Sequence, residues 1–335
     1  MSKRAVEELW LDALEATDQG DRAAYASIAQ QVVEKDPAHV DALWALVDTA
    51  LPLINRGRRM GDPDLATAAK ALTHCRRIVS NQENHSAAWI TGGSLLTDDL
   101  GMFEEALEWW EDRRSIAPNE LTPLVEQVGI LTRFGLYTEA AERLERLFGK
   151  GMDEPSPQQM VRLEKMYAEV KEAANDDPSK FFRPQEPKHP AWDRIDRFQH
   201  RKPTTTTYWL VFVVLPFLWI EAIVWNRLIS QPTLFTTIGG FLLIFISFLY
   251  GSRWTHSMTR KINRPAQDLD RAFDVESASG KTCVPDPVRA SKLGRALMAK
   301  RTVAFRDRHD KILTVNERLA ISWRLRVPEW LDESE

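Results

Sequence analysis

Cysteine is scarce in this chain of 335 residues, with only Cys75 and Cys283 present. The two lie far apart and match no metal-binding or redox spacing, which is typical of a reducing compartment. The opening sequence MSKRAVEELWLDALE contains no apolar run, so no cleaved signal peptide is expected. We therefore expect the N-terminal half to stay in the cytosol.

Recognisable catalytic motifs are also missing. The chain has no glycine-rich phosphate loop, no H-E-x-x-H and no G-x-S-x-G sequence. Its seven histidines are scattered, and none stands at ligand spacing from a cysteine or another histidine. We therefore expect a protein that is not an enzyme, with no catalytic residue, no metal and no cofactor.

Charge is distributed unevenly along the chain. Residues 1–180 carry 20 Lys and Arg against 32 Asp and Glu, a net charge of −12, whereas residues 181–335 carry 24 against 16, a net charge of +8. A basic second half fits attraction to anionic lipid headgroups. Two ordinary solvated surfaces would explain the same numbers, so both interpretations stay open.

Strand-like alternation is nearly absent from residues 1–152, which are rich in Ala, Leu, Glu and Arg. When this region is compared with itself, 86–120 aligns with 121–152. Ala106 and Ala140 then occupy the same position, 34 residues apart. The pattern predicts an all-α array of helical hairpins, in which stacking buries an apolar stripe that no unit buries alone.

The two segments resemble units of the tetratricopeptide repeat (TPR) family. In the first, the positions that pack in that family hold Trp89, Gly93, Leu96, Ala106, Trp110 and the terminating Pro118. In the second, they hold Leu124, Val128, Leu131, Ala140, Leu144 and Leu147, with Met152 in place of the proline. Two weaker units precede them and end at Pro37 and Glu83, the latter with an insertion at 51–64.

The resemblance implies a concave surface, lined by the first helix of each unit, that binds an extended segment or a helix of a protein partner. In the two clearer units this groove is expected to contain Ala87, Ile90, Ser94, Thr97, Thr122, Val125, Gly129 and Arg133. The surface is small, partly apolar and nearly uncharged. The family's clamp for a free C-terminal carboxylate needs Lys, Asn and Arg at these places, and only Arg133 fits, so that ligand is not expected.

Two segments follow the repeats. We predict a capping helix within 153–180, because Ser156 and Pro157 suit a helix cap and first turn. A proline-rich linker is predicted over 181–206. Within it, 191–202 is amphipathic and is a candidate for docking at a membrane surface.

Two long apolar runs, at 207–229 and 234–250, come next. Twenty helical residues cover about 30 Å, the thickness of the hydrocarbon core. Lys and Arg flank both outer ends, while Arg227 is the only basic residue near the connection. The sequence therefore predicts a transmembrane hairpin with both termini in the cytoplasm, and we expect the bacterial inner membrane.

Pro216 and Glu221 interrupt the first apolar run. Pro216 should kink the helix, and Glu221 lies roughly 20 Å into the span by helical rise. A carboxyl group there is costly and should face protein or water. A contact to a polar group in a partner's helix, an ion or proton path, and a protonated or snorkelling side chain all remain open. Gly239, Gly240 and Ser247 would permit close helix contact.

Residues 251–335 are predicted to form a small basic cytoplasmic tail, with one helix running from Asp286 to Ile312. This helix carries Arg289, Lys292, Arg295, Lys300, Arg301, Arg306, Arg308 and Lys311. An ordinary solvated face, an anionic-lipid contact and docking onto the acidic repeats all fit. Nucleic acid is not expected, because only Phe305 is available to stack on bases.

Together these features favour a membrane-anchored TPR adaptor or scaffold that recruits a protein partner to the cytoplasmic face of a membrane. The alternative is an integral accessory or assembly subunit of a larger membrane complex for envelope biogenesis or transport, in which the hairpin makes the contact. A third hypothesis is an enzyme with an unrecognised site in 251–335. Self-association also stays open.

Overall fold

Eight helices open the chain and form four consecutive hairpins, each helix packing on its neighbours in sequence. They are α1 (Lys3–Asp18), α2 (Arg22–Lys35), α3 (Val40–Ala50), α4 (Leu65–Asn81), α5 (Ser86–Ser94), α6 (Phe103–Ile116), α7 (Leu121–Phe134) and α8 (Tyr137–Leu147). The computed structural model describes residues 3–55, 58–148, 151–155, 157–174, 181–229 and 233–329. The predicted all-α class is confirmed, and strand structure in the described chain is limited to the antiparallel pair β1 (Ile54–Asn55) and β2 (Arg58–Arg59).

Nine further helices lie in the described part of the chain after α8. They are α9 (Pro157–Ala174), α10 (Pro190–Phe198), α11 (Thr206–Trp209), α12 (Leu215–Leu228), α13 (Leu234–Ile262), α14 (Arg264–Ser279), α15 (Asp286–Arg289), α16 (Lys292–Met298) and α17 (Val303–Val315). Helix α9 lies within the range predicted for a capping helix and packs against α8 and α7. The predicted cap residue Ser156 and the predicted stop at 175–180 lie outside the described residues.

The chain divides into two compact bodies, and each contains residues from both sides of the apolar helices. The repeat body comprises Met1–Pro187, Arg271–Val284 and Met298–Glu335. The hairpin body comprises Lys188–Asp270 and Pro285–Leu297. Most of the segment predicted as a separate tail is therefore part of the repeat body.

Two histidines set the start of successive repeats. The Nδ1 atom of His39 accepts a hydrogen bond from the Ala42 amide at 3.2 Å, and that of His85 accepts one from the Ala88 amide at 3.1 Å. Each therefore caps a first helix, satisfying an amide that has no partner within the helix. The positions of these two histidines are set by the helix starts that they cap, and a metal-ligand spacing does not indicate such a role.

A buried polar chain fixes how α6, α7 and α8 pack. Arg143 Nε donates to Gln127 Oε1 at 2.9 Å, and Gln127 Nε2 donates to Glu111 Oε2 at 2.8 Å. Burial opposes ionisation of Glu111, but hydrogen bonds from Arg114 and Gln127 hold its pKa below the ordinary value. Burial lowers the pKa of Arg143, although nearby Glu111 opposes this. Because each group needs its partner, the chain specifies one register for the three helices.

The predicted single helix over residues 286–312 is wrong, because the chain forms α15, α16 and α17 instead. Thr302 interrupts the helical backbone before α17. Its hydroxyl caps α17 by accepting a hydrogen bond from the Phe305 amide at 3.3 Å. Its backbone is extended, with φ −60° and ψ 161°. The break lets α17 turn its apolar side into the repeat body, where Ala304 and Phe305 are fully buried.

Asp274 on α14 joins the tail to the repeats. Its carboxylate accepts hydrogen bonds from Arg133 of α7 at 3.1 and 3.2 Å and forms an ion pair with Arg301 at 2.8 Å. Asp274 is only 2% exposed. A buried carboxylate between two guanidinium groups is stable only while both remain in place.

A second buried carboxylate, that of Glu276, organises the tail itself. Its Oε1 accepts from the amides of Cys283 and Val284 at 2.7 and 2.8 Å. Its Oε2 lies 2.9 Å from His309 Nε2 on α17. Next to this pair, Arg308 donates to the carbonyl groups of Ser277 at 2.7 Å and Leu100 at 3.0 Å. The part of the basic tail that belongs to the repeat body therefore docks on the acidic repeats, one of the three options left open by its charge.

The last described segment, residues 316–329, crosses α6 and α8 without forming a helix. The Arg326 amide donates to Glu104 at 3.0 Å, and its guanidinium pairs with Glu108 at 2.9 Å. Thr282 exchanges backbone hydrogen bonds with the segment at 2.8 and 2.9 Å. These contacts hold the segment on the repeat body without helical or extended strand structure.

The hairpin body contains two helices that are long and apolar enough to cross a membrane, Thr206–Leu228 and Leu234–Ile262. The second continues twelve residues beyond the predicted end at 250. A π-helical turn at Leu210–Val214 precedes Pro216, which lacks a backbone donor and so disturbs the ladder at the preceding turn. The predicted connection at 230–232 lies outside the described residues.

Small residues let these two helices approach closely. A Cβ atom at Gly240 would lie 2.3 Å from Trp225 Nε1, and one at Gly251 would lie 3.0 Å from Val214. Gly240 is one of the residues predicted to permit close helix contact, and glycine is required there because the indole of Trp225 leaves no room for a side chain. Gly251 was not among the predicted residues.

The structure differs from the predicted linker over 181–206. Phe182 is buried, and Gln185 Nε2 donates to the Trp323 carbonyl at 3.2 Å within the repeat body. In the hairpin body Pro190 starts α10, a position that needs no amide donor. Ile195 is fully buried, so the apolar side of α10 packs within the protein rather than being free to dock on lipid.

Replacing Asp274 should destabilise the protein strongly. We expect Asp274→Ala to lower the free energy of unfolding by about 3 kcal/mol, because two guanidinium groups lose their shared partner. Chemical denaturation of the full chain in detergent measures this. Asp310→Ala removes an exposed carboxylate from α17 and should change stability by less than about 0.5 kcal/mol. Equal effects from the two substitutions would contradict the role of Asp274.

His74 should make stability depend on pH. It is 7% exposed, and neither ring nitrogen has a partner among the described residues. Burial, with Lys70 and Arg77, lowers its pKa. The unfolded chain therefore binds a proton at His74 more readily than the folded chain does. The free energy of unfolding decreases as the pH is lowered below about 6.5, by up to about 1.4 kcal/mol per pH unit.

Urea unfolding at pH 7 and pH 5 tests this dependence. We expect His74→Leu to reduce the loss of stability at pH 5, whereas His200→Leu, at an exposed position in the hairpin body, should leave it unchanged. An identical loss in wild type and His74→Leu would show that His74 does not contribute.

Candidate functional site

A cavity of about 340 Å³ lies between the first helices of the two clearer repeats. Residues of α5 and α7 form its walls, together with the π-helical turn after α5 and one residue of α6. They are Ile90, Gly93, Ser94, Thr97, Asp98, Trp110, Thr122, Glu126, Gly129, Ile130 and Arg133. All of them belong to the repeat body, and none comes from the tail.

Gly93 and Trp110 pack against each other in the wall of this cavity. A Cβ atom at Gly93 would lie 2.1 Å from Trp110 Cζ2, so no other residue fits without displacing the indole. Trp110 is 2% exposed, and its Nε1 has no hydrogen-bond partner among the described residues. A neighbouring pair works in the same way, since Gly92 approaches Trp109, whose Nε1 donates to the Trp89 carbonyl at 2.9 Å.

Six of the eight predicted groove residues line this one cavity. They are Ile90, Ser94, Thr97, Thr122, Gly129 and Arg133. Ala87 is exposed but does not line it. Val125 was assigned wrongly, because it is 2% exposed and packs in the core. On α7 the side of the helix that faces the cavity contains Glu126 instead of Val125. One residue along a helix corresponds to a rotation of about 100°.

The charges of the groove differ from the nearly uncharged surface that was predicted. Asp98 and Glu126 both line it, and the side chain of Asp98 is 63% exposed. The only basic residue of the lining, Arg133, is held by the buried Asp274 and stacks over the Phe103 ring at 4.7 Å. Arg133 also lies 3.8 Å from Asp98. The lining therefore contains two carboxylates against one guanidinium group that is shared with Asp274, and its net charge is negative.

The geometry of Arg133 also excludes the role that was considered for it. A clamp for a free carboxylate needs an unsatisfied cation, whereas this guanidinium donates twice to Asp274. The decisive partner is 141 residues away in sequence. No local sequence pattern indicates this partner. Glu126, by contrast, could have been predicted from the sequence, because Thr122, Glu126, Gly129 and Arg133 follow one another at helical spacing.

The described residues offer little for catalysis. They contain no cluster of His, Cys, Asp and Glu suited to hold a metal ion. Cys75 is fully buried in α4, and burial raises the pKa of its thiol to about 12. A thiol with this pKa stays protonated and is a poor nucleophile. What the groove offers is shape, apolar contact and negative charge.

Glu221, the predicted intramembrane contact, finds a partner in its own hairpin. Ser247 Oγ donates to Glu221 Oε1 at 3.0 Å. Ser247 therefore has a hydrogen-bonding role in addition to its small size. Oε2 of Glu221 is buried and has no partner among the described residues.

No protein-family model and no curated protein matches the chain. Among solved structures, it is similar to a tetratricopeptide repeat protein from Parabacteroides merdae. The two share 14% sequence identity, and the alignment covers 88% of this chain and 99% of that one, with a TM-score of 0.40. A likeness at this level leaves the function to be argued from the site itself.

Proposed function

We propose that this protein is a membrane-anchored adaptor of TPR type, whose groove between α5 and α7 binds a segment of a protein partner. The observation that carries the proposal is the open cavity lined by the first helices of two adjacent repeats. The tail holds two lining residues, Arg133 through Asp274 and the Asp98 carbonyl through the Thr302 hydroxyl, but it contributes no lining residue itself, so the groove is accessible to another chain.

The chemistry of the groove defines the partner segment. Ile90 is 49% exposed and supplies an apolar contact. Asp98 and Glu126 favour a cationic side chain of the partner. A helix or extended segment that combines an apolar residue with a Lys or Arg suits this groove, and a free C-terminal carboxylate does not.

The anchor is the pair of apolar helices. Only small fractions of their most apolar stretches, 11% and 6%, are buried in the protein, as suits helices surrounded by lipid. The repeat body contains residues from before and after the pair, which supports placing both flanks on one side of the membrane. The basic flanks favour the cytoplasmic side, and the bacterial inner membrane is our proposed location.

The second candidate is an accessory subunit of a larger membrane complex. One observation favours it, the buried Glu221 Oε2 that lacks a partner among the described residues. A polar group from another membrane protein would satisfy this oxygen. Exchanging the hairpin for an unrelated one separates the two candidates, because an adaptor keeps its partner and a subunit leaves its complex.

The groove is tested by placing a charge at its exposed apolar residue. We expect Ile90→Glu to abolish a partner crosslink formed by a photoreactive residue at Thr97 in native membranes, because a third carboxylate repels the cationic segment. Ile116→Glu is the matched control, since Ile116 is an exposed isoleucine of α6 outside the cavity. Retention of the same crosslink in Ile90→Glu would show that the groove is not the binding site.

A further inference from the structure

The hairpin body carries a basic surface where the chain enters and leaves the apolar helices. Thr204, just before α11, donates two hydrogen bonds to Asn263 Oδ1 at 3.0 and 3.2 Å and accepts one from Asn263 Nδ2 at 2.7 Å. Arg194 of α10 pairs with Asp268 at 3.3 Å. The Leu293 amide of α16 donates to the Gln199 carbonyl at 2.9 Å. These contacts join the three segments 188–206, 251–270 and 285–297, which we call the collar.

The collar is strongly cationic on its outer side. Its three segments contain ten exposed Lys and Arg residues but only three exposed Asp residues and no exposed Glu. The ion pair between Arg194 and Asp268 uses a buried carboxylate, so it does not reduce the excess of exposed cations over exposed carboxylates. This excess accounts for most of the positive charge of the second half of the chain.

Helix geometry places this charge at the level of lipid headgroups. Helix α13 starts at the capping residue Thr233, and Arg253 follows after about 30 Å of helical rise, the thickness of the hydrocarbon core. The rings of Trp209 and Trp254 lie 6.5 Å apart at this level, where amphipathic aromatic residues prefer to be. Lys261 is about 12 Å farther along.

The distance to the phosphates is therefore short. Headgroups extend about 5 to 7 Å beyond the hydrocarbon core on each side, so Lys261 lies within a Debye length of them, about 8 Å at physiological ionic strength. Arg264 follows on the next helix. Arg201 is three residues before Thr204. The hydrogen bonds of Thr204 to Asn263 hold the segment before α11 next to the end of α13.

We propose that the collar binds the phosphate groups of anionic phospholipids and so selects lipids such as phosphatidylglycerol around the hairpin. The inference rests on the transmembrane placement of the hairpin in the proposed function. It goes beyond that function, because it adds a lipid specificity that neither the groove nor a neutral anchor requires. Each exposed cation beside the bilayer adds an attraction that acts on anionic but not on zwitterionic headgroups.

The test uses the full chain in vesicles that contain spin-labelled phosphatidylglycerol or phosphatidylcholine. Electron spin resonance gives the fraction of each lipid immobilised by the protein, and so their relative association. We expect a several-fold preference for phosphatidylglycerol that weakens as salt is raised. The variant R201Q/K261Q/R264Q should reduce that preference to about one, because it removes three exposed cations beside the Thr204–Asn263 contact.

The matched control K70Q/R76Q/R306Q removes three exposed cations from the repeat body and should keep the wild-type preference. Equal immobilisation of both lipids by the wild type, or an unchanged preference in R201Q/K261Q/R264Q, would overturn the inference while leaving the transmembrane hairpin intact. No immobilised lipid of either kind would instead refute the membrane placement, and the inference with it. Binding of a single-stranded oligonucleotide that is lost in R201Q/K261Q/R264Q, without a lipid preference, would assign the collar to nucleic acid.

Discussion

The buried carboxylate of Asp274 is the contact on which the arrangement of the repeat body depends. It holds Arg133 of the fourth hairpin and Arg301 at the start of the last helix. Both guanidinium groups and the carboxylate lose solvent in this contact, so each is stable only in the presence of the others. The consequence reaches the groove, because its one cation, Arg133, is shared between Asp274 and Asp98, and two carboxylates, Asp98 and Glu126, stand against it in the lining.

Local regularities explain what could be predicted from the sequence. The repeat positions of Gly93, Trp110 and Leu131 were predictable because an apolar stripe recurs with helical periodicity, and all three are buried. The apolar helices were predictable because their length and composition suffice. The place of the tail was not, because Glu276, His309 and Arg308 have their roles only through partners distant in sequence, and charge alone left three interpretations.

The groove and the collar assign different tasks to the two charge signs of the chain. The acidic repeats use part of their charge to hold the basic tail, and under the proposed function they present another part to a cationic partner segment. The basic residues divide likewise, since Arg301 and Arg308 are used within the repeat body while the collar keeps its cations exposed. Under the two proposals, the contrast in net charge between the halves combines the requirements of folding, partner binding and lipid contact, which a single average could not distinguish.

The proposed function requires that the residues before and after the hairpin, which form one body, lie on one side of a membrane. Labelling of single cysteines with a membrane-impermeant maleimide tests it most directly, in oriented vesicles and in a chain with Cys75→Ala and Cys283→Ser. We expect K70C and K311C, both exposed positions of the repeat body, to react from the same side, and T233C at the start of α13 to react from the other. Reaction of K70C and K311C from opposite sides would contradict the account.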